Sequence, residues 1–481
     1  MTATSEQLPV LIQGGMGVAI SDWRLARAVA QMGQLGVVSG TALDVVAARR
    51  LGDGDPGGHM RRALSHAPAV LAPLAQRVLD RWYQPGGRRP GERYRAVPMA
   101  RVVPSKTLSE LMVVASFAEV WLAKEGHDGP VGVNLLEKVQ LPTPHTIYGA
   151  LLAGVDYVLM GAGIPAQIPA LLDDLSRGLA CDYRISVAGS EPGDVDVVHL
   201  DPTDLLGVPA PQLARPRFLA IIASNTLAAF LMKDPATTPD GFVVEGPTAG
   251  GHNAPPRGKL QLDERGEPIY GARDEVDLDK MAAAGLPFWL AGGYADPVKV
   301  REALSVGAAG VQVGTAFALC DESGLRDDLR EDAIRRAPAG QLEIRTDPRA
   351  SPSGFPFKVA TLPGTVSDDD VYEQRRRVCD LGYLRTSYRK PDGSVGYRCP
   401  SEPVESYVAK GGAIEDTVGR KCLCNGLMAT AGFAQERAGG PEPAIVTLGD
   451  DVGAVIEAFG GPTGHWSAAD VVEQLLSKVH A

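Results

Sequence analysis

The chain has 481 residues, 44% hydrophobic and 22% charged, with a formal net charge of -11. That length holds one large domain with an appendage, or two or three ordinary domains. The acidic balance argues against a nucleic-acid surface, which needs clustered Lys and Arg, and no run of about 20 apolar residues marks a membrane span.

The first residues, MTATSEQLPVLIQGG, lack a basic start followed by a long apolar core, so export is not expected and a cytoplasmic location is. Taken in order, apolar β-branched runs then alternate with helical patterns from residue 10 to about 317. VLIQGGMG reads as a strand ending in glycines, and SDWRLARAVAQMG as a helix with Ser21 or Asp22 at its N-cap. LGVVSG is a second strand. TLSELMVVASFAEVWLAKEG is a helix with a Gly stop, and GPVGVNLL is the third strand. TPHTIYGALLAG precedes VDYVLMGAG, the fourth, and IPAQIPALLDDLSRG starts a helix with Pro165 near its first turn. RPRFLAIIAS, GFVVEG, LPFWLAGG and AGVQVGTAF complete eight strands, near 10, 36, 131, 156, 217, 241, 287 and 310.

Parallel strands need crossover connections, and eight such units predict an α/β fold, a closed (β/α)8 TIM barrel, with an open doubly wound sheet as the alternative. The barrel is expected over residues 1–324, interrupted by insertions at about 44–105, rich in Gly, Pro and Arg, and 181–213, which reads as a small hairpin. Residues 325–481 are loop-rich and are expected to form an extension packed on the barrel mouth.

In such a barrel the active site lies at the carboxyl ends of the strands. Gln13-Gly14-Gly15-Met16-Gly17 follows the first strand, Asn134 ends the third, and Gly161-Ala162-Gly163 the fourth. EGPTAGGHN, with Gly250, Gly251 and His252, ends the sixth; Ala291-Gly292-Gly293 ends the seventh; Gly314-Thr315 ends the eighth. Glycine has no side chain to hold a ligand off the backbone, so its recurrence suggests a cofactor lying across the mouth. Loops after strands seven and eight of such barrels commonly bind a phosphate through backbone N–H groups, to which Thr315 adds a hydroxyl. His252 can titrate, donate a hydrogen bond or ligate a metal. A competing dinucleotide fingerprint, Gly161-x-Gly163-x-x-Ala166, is set aside: Asp182 has the spacing of its acid but precedes the next strand, and Pro165 crowds the phosphate position.

In this order, VLIQGGMG, GVNLL, GAGIP, EGPTAGGHN, LAGGYADP and GVQVGTAF resemble the FMN-dependent nitronate monooxygenase (2-nitropropane dioxygenase) superfamily, which also holds FMN-dependent enoyl-acyl carrier protein reductases. The resemblance implies a noncovalent FMN, with Gly14, Gly15 and Met16 along the ring and Asn134 at its polar edge. It implies that Gly250 and Gly251 admit the flavin to the sixth strand, and that Gly292, Gly293, Gly314 and Thr315 hold the phosphate with Gln312 nearby. His252 matches the active-site histidine. The leading expectation is oxidation of a small nitronate or related anionic carbon acid with O2. One alternative is an enoyl reductase of a polyketide or fatty-acid pathway, with NAD(P)H as reductant and an acyl carrier protein as partner. Another is a non-catalytic flavoprotein partner. A small-molecule substrate and a homodimer complete the expected partners.

Cys379, Cys399, Cys422 and Cys424 all fall in the extension. One residue between Cys422 and Cys424 is tighter than the zinc spacing, and the other gaps match no cluster motif, so no metal is assigned. Ordinary thiols, a bound metal and a redox role stay open for them.

Overall fold

The computed structural model describes residues 8–461, 463–477 and 479; the start of the N-terminal stretch read for export, residues 1–7, therefore lies outside the described residues. Eight parallel strands form one sheet: β1 Leu11–Gln13, β2 Gly36–Ser39, β3 Val131–Leu136, β4 Tyr157–Gly161, β5 Arg217–Ile222, β6 Gly241–Glu245, β7 Phe288–Ala291 and β8 Gly310–Val313. From β2 to β8 each strand pairs with the next, and β8 returns to β1 with Leu11 opposite Val311. The remaining seam, β1 to β2, is closed by hydrogen bonds from the Gln13 N–H to the Leu35 carbonyl (2.9 Å) and from the Leu35 N–H to the Leu11 carbonyl (3.1 Å). All eight strands fall where the β-branched runs predict them. The sheet is a (β/α)8 barrel.

Successive residues of a strand face opposite sides of the sheet. Ile12, Val37, Leu159, Leu219, Val243 and Trp289 gather in one buried cluster inside the ring. Their chain neighbours Leu11, Val38, Val158, Phe218, Phe242 and Phe288 belong to the larger cluster under the helices. The Trp289 indole N–H donates to the Pro9 carbonyl at 2.7 Å, so this large buried side chain leaves no donor unmet.

Caps fix the helices where the sequence places them. The Asp22 carboxylate accepts from the Arg24 N–H at the start of Trp23–Gln31, and Ser105 accepts from the Leu108 N–H at the start of Lys106–Lys124. The helix after β4 differs from expectation. It runs Ile168–Ser176 with Pro169 in its first turn, whereas Pro165 sits before the helix in the preceding loop.

The first insertion folds into three helices, Leu43–Gly52, His59–Ser65 and Ala72–Trp82. In the second, Cys181–Arg184 and Val197–Leu200 form the expected antiparallel hairpin. Between them, Val187–Ala188 joins a strand of the C-terminal segment, Thr386–Arg389. That segment also carries a hairpin of Ile344–Asp347 with Phe357–Ala360, and helices such as Leu423–Thr430 and Val452–Phe459. Among the described residues no helix is long and apolar enough to cross a membrane.

Candidate active site

At the carboxyl ends of the barrel strands lies a cavity of about 240 Å³. Every residue that the resemblance assigns to the flavin or to its substrate lines it. Gly14, Gly15 and Met16 come from the loop after β1 and Asn134 from β3. Gly250, Gly251 and His252 come from the loop after β6, Gly292 and Gly293 from that after β7, and Gln312, Gly314 and Thr315 from β8 and beyond.

The β1 loop is held from below. Gln13, fully buried, accepts from the Val37 N–H at 2.9 Å, and the Ser21 hydroxyl accepts from the Met16 N–H at 2.6 Å. Asn134 donates through Nδ2 to the Gly15 carbonyl at 2.8 Å. A Cβ at Gly15 would lie 2.2 Å from the Asn134 Cβ, so this close packing requires glycine. The Oδ1 of Asn134 and the Oε1 of Gln312 are both buried and have no protein partner. Buried amide oxygens are rarely left unpaired without a functional reason.

After β7, Gly292 holds φ +97° and Gly293 φ +78°, which L side chains rarely adopt. The Lys299 ammonium donates to the Gly293 carbonyl at 2.7 Å, which brings a cation to this loop. After β8, a Cβ at Gly314 would meet only the Met16 Sδ, at 3.8 Å. The Thr315 hydroxyl accepts from the Gly449 N–H at 3.0 Å and also bonds the Asp451 carboxyl. Burial raises Asp451 above the usual carboxylate range. Two groups of opposite sign therefore stand at the end expected to take a phosphate.

The β6 loop is clamped by the C-terminal segment. Thr447 Oγ1 accepts from the Gly251 N–H at 2.7 Å, the Lys358 N–H donates to the Gly251 carbonyl at 2.9 Å, and the Asn253 N–H donates to the Pro356 carbonyl at 2.9 Å. The room a side chain at Gly250 would need is taken by the Leu448–Gly449 backbone, at 3.0 Å, whereas at Gly251 that direction is open. His252 packs edge-on against Phe357 with centroids 4.9 Å apart, and its Nε2 shares a 2.7 Å hydrogen bond with the Ser351 hydroxyl. Ser351 in turn shares one of 2.7 Å with Ser353. Among the described residues the other ring nitrogen, Nδ1, has no protein partner, and His252 lines the cavity. Burial pushes His252 down to about 4, so the ring is neutral at pH 7.

A second cavity of about 640 Å³ adjoins the first and shares Ala162, Ile221, Glu245 and His252 with it. Lys138, Arg184 and Arg257 line this outer chamber together with Glu137 and Asp274. The inner one also meets Tyr383, Leu384, Cys424 and Asp451 of the C-terminal segment. Residues 8–324 alone therefore do not enclose it. Tyr383 donates to buried Asp44 of the first insertion, which joins all three regions at the mouth.

Of the extension's thiols, Cys424 reaches the cavity, while Cys399 and Cys422 are buried. Cys379 hydrogen-bonds Cys399, and that bond holds its own thiol below the ordinary range. Among the described residues no group of three or more His, Cys, Asp and Glu is arranged to hold a metal. The sequence reading missed Glu245, Tyr383 and Asp451, which line the cavity, and Lys299 and Ser351, which bond Gly293 and His252 of its lining. Only Glu245, inside the motif EGPTAGGHN, carried a signal that could have found it.

Residues 178–348 match the family model described as nitronate monooxygenase. Over this range the chain is similar to that family. The matched range holds His252 and the glycines after β6, β7 and β8, whereas Gly14, Gly15, Met16 and Asn134 lie outside it. A nitronate monooxygenase of Pseudomonas aeruginosa is 43% identical over 131 residues, 26% of this chain and 35% of that one. A probable nitronate monooxygenase of Bacillus subtilis is 38% identical over 101 residues, 21% of this chain and 27% of that one. The (3aS,4S,5R,7aS)-5-hydroxy-7a-methyl-1-oxo-octahydro-1H-indene-4-carboxyl-CoA dehydrogenase of Mycobacterium tuberculosis is 33% identical over 122 residues, 25% of this chain and 31% of that one. The matches thus span about a third of each of these relatives.

Proposed function

We propose that this chain is an FMN-dependent oxidoreductase that oxidises a small nitronate, or a related anionic carbon acid, with O2. The observation that carries the reading is convergence. Residues chosen from separate strand ends meet in one cavity that presents unpartnered amide oxygens, open backbone and a neutral imidazole. These residues fit an FMN. Asn134 and Gln312 would meet its polar ring edge, Gly14, Gly15 and Met16 would lie along the ring, and Gly251 leaves room beside β6. Gly292, Gly293, Gly314 and Thr315 would hold the phosphate, with the Lys299 ammonium balancing its charge.

The chemistry that FMN supplies when bound is two-electron acceptance from a carbon anion and return of those electrons to O2. The chain's own residues bind and orient the substrate. His252 offers Nδ1 to it while Ser351 fixes Nε2, so the imidazole reaches the substrate in one orientation. Phe357, Leu384 and Leu423 form an apolar wall that keeps bulk water from the inner cavity and strengthens every polar contact inside.

A second reading, an NAD(P)H-dependent enoyl reductase, is favoured by the outer chamber, which is roomier than a small nitronate needs and is lined by Lys138, Arg184 and Arg257. The relative named as an indene-4-carboxyl-CoA dehydrogenase points the same way, and an acyl carrier protein would be the partner under that reading. Anaerobic titration separates the two. The purified protein is expected to show an oxidised-flavin spectrum that ethyl nitronate bleaches and NADPH does not. Bleaching by NADPH alone selects the reductase, and a colourless protein that takes up no FMN refutes both.

A further inference from the structure

Stretches of the C-terminal segment that lie apart in sequence meet around its thiols. The Arg377 guanidinium donates to the Pro400 carbonyl at 3.2 Å and to the Thr417 carbonyl at 2.9 Å. The Cys422 thiol reaches the Val378 carbonyl at 3.8 Å. The Asn425 amide donates to the Asp380 carboxylate at 2.8 Å and to the Cys422 sulfur at 3.5 Å. Cys379 is thus held through its neighbours on both sides. Cys399 is pinned as well: its N–H donates to the Glu402 carboxylate at 3.4 Å, and its carbonyl accepts from the Glu402 N–H at 2.9 Å. The Lys410 ammonium fixes Glu402 at 2.7 Å. Within this frame Cys379, half-buried, and Cys399, buried, hydrogen-bond each other sulfur to sulfur while both remain free thiols.

We propose that Cys379 and Cys399 form an oxidisable pair that hydrogen peroxide closes into a reversible disulfide. In the first step the Cys379 thiolate attacks peroxide: an S–O bond forms, the O–O bond breaks and hydroxide leaves, giving a sulfenic acid. In the second the Cys399 sulfur attacks that of Cys379: an S–S bond forms, the S–O bond breaks, and the departing oxygen takes the Cys399 proton and leaves as water. The pair loses two electrons and two protons in all, and one peroxide becomes two waters. Peroxide from any source serves, so the proposal stands apart from the carbon-acid reading.

The electrostatics assign the two roles. The bond from Cys399 holds Cys379 below the ordinary thiol range, and the Arg385 guanidinium adds to this against burial, Glu402 and Asp380. The same bond, with burial, raises Cys399. Cys379 is therefore the nucleophile, and Cys399 keeps its proton until the second step. Burial raises Cys422 and Cys424, so neither competes for the oxidant. Cys379 also lies shortly before Tyr383 and Leu384, which line the inner cavity. A bond to Cys399 staples the stretch that roofs the cavity to the turn of residues 399–402.

The test maps the bond directly. The purified full chain is exposed to a small excess of hydrogen peroxide, quenched with catalase, unfolded, capped with N-ethylmaleimide without reductant and digested with trypsin. Cleavage after Arg377, Arg385, Arg398 and Lys410 leaves Cys379 and Cys399 on separate peptides, each with no other cysteine. Mass spectrometry is expected to find these two peptides joined, with two of the six free thiols lost and both recovered by dithiothreitol. Cys399→Ser treated in the presence of dimedone should carry the adduct on Cys379 and form no joined product, whereas Cys422→Ser should give the wild-type product. The wild-type map needs no variant to fold. A bond from Cys379 to Cys422 or Cys424 in its place overturns the proposal, and so does a wild type that keeps all its thiols under peroxide.

Discussion

Gly15→Ala tests whether the cavity floor is built as tightly as the structure has it. The new methyl would lie 2.2 Å from the Asn134 Cβ and 3.0 Å from its Cγ and from the Val37 Cγ1. Carbon atoms in contact rest about 3.5–4.0 Å apart, so Asn134 must retreat by more than about 1 Å. Its Cβ is fixed by β3, which cannot shift without disturbing its pairing to β2 and β4. Overpacking of this kind costs about 1–3 kcal/mol, and loss of the Asn134–Gly15 hydrogen bond adds about 1 kcal/mol. With a urea slope of about 3 kcal/mol per molar, the midpoint should fall by about 1 M. Flavin retained after gel filtration should fall too, because the Asn134 Oδ1 no longer points where it did. Gly251→Ala is the control: its methyl meets nothing within 4 Å and bears only the strain of φ +82°, about 1–2 kcal/mol. The reasoning is refuted if the two variants match in both urea midpoint and flavin content.

Two further outcomes follow from the charges at the mouth. Asp451→Asn removes a carboxyl beside Thr315 and should tighten FMN roughly tenfold by equilibrium dialysis at pH 8, since like charges repel strongly where water is scarce. Because burial raises the Asp451 carboxyl, wild-type affinity should weaken as pH rises through its titration, a step absent from Asp451→Asn. His252 is held near 4 against an ordinary 6.5, so between those values the unfolded chain binds the extra proton and the native state loses stability as pH falls. Urea midpoints at pH 4.5 and pH 7 should therefore differ less in His252→Gln than in wild type, by roughly 2–3 kcal/mol of unfolding free energy. Equal pH dependence in the two proteins would show that the imidazole is not buried as described.

The barrel was legible because each of its strands is a short apolar run ending in a turn signal, and the two-residue alternation of Ile12 with Leu11 or Trp289 with Phe288 leaves few other ways to fold. The mouth glycines were legible for a related reason: a closed barrel brings all eight strand ends to one rim, whatever the sequence between them. The helices of the first insertion were hidden by its Gly and Pro content, with Gly57 and Gly58 at positive φ just before the helix His59–Ser65. Ser351, Tyr383 and Asp451 were illegible because their partners lie far off in sequence, 99 residues away in the His252–Ser351 bond. Nothing local marks such a contact. Lys299 sits one turn into an ordinary helix and reaches the site only because that helix begins just after Gly293.

The clamp on the β6 loop also dictates an order of assembly. The ribosome releases Gly14 long before Asp451, yet both ends of that span wall one chamber. During synthesis the rim therefore stands open, its apolar lining bare, until Phe357, Leu423 and Leu448 have emerged and docked. Any prosthetic group that settles there joins a chain already made past residue 451, and a nascent chain halted before residue 357 has an unroofed basin in place of a chamber.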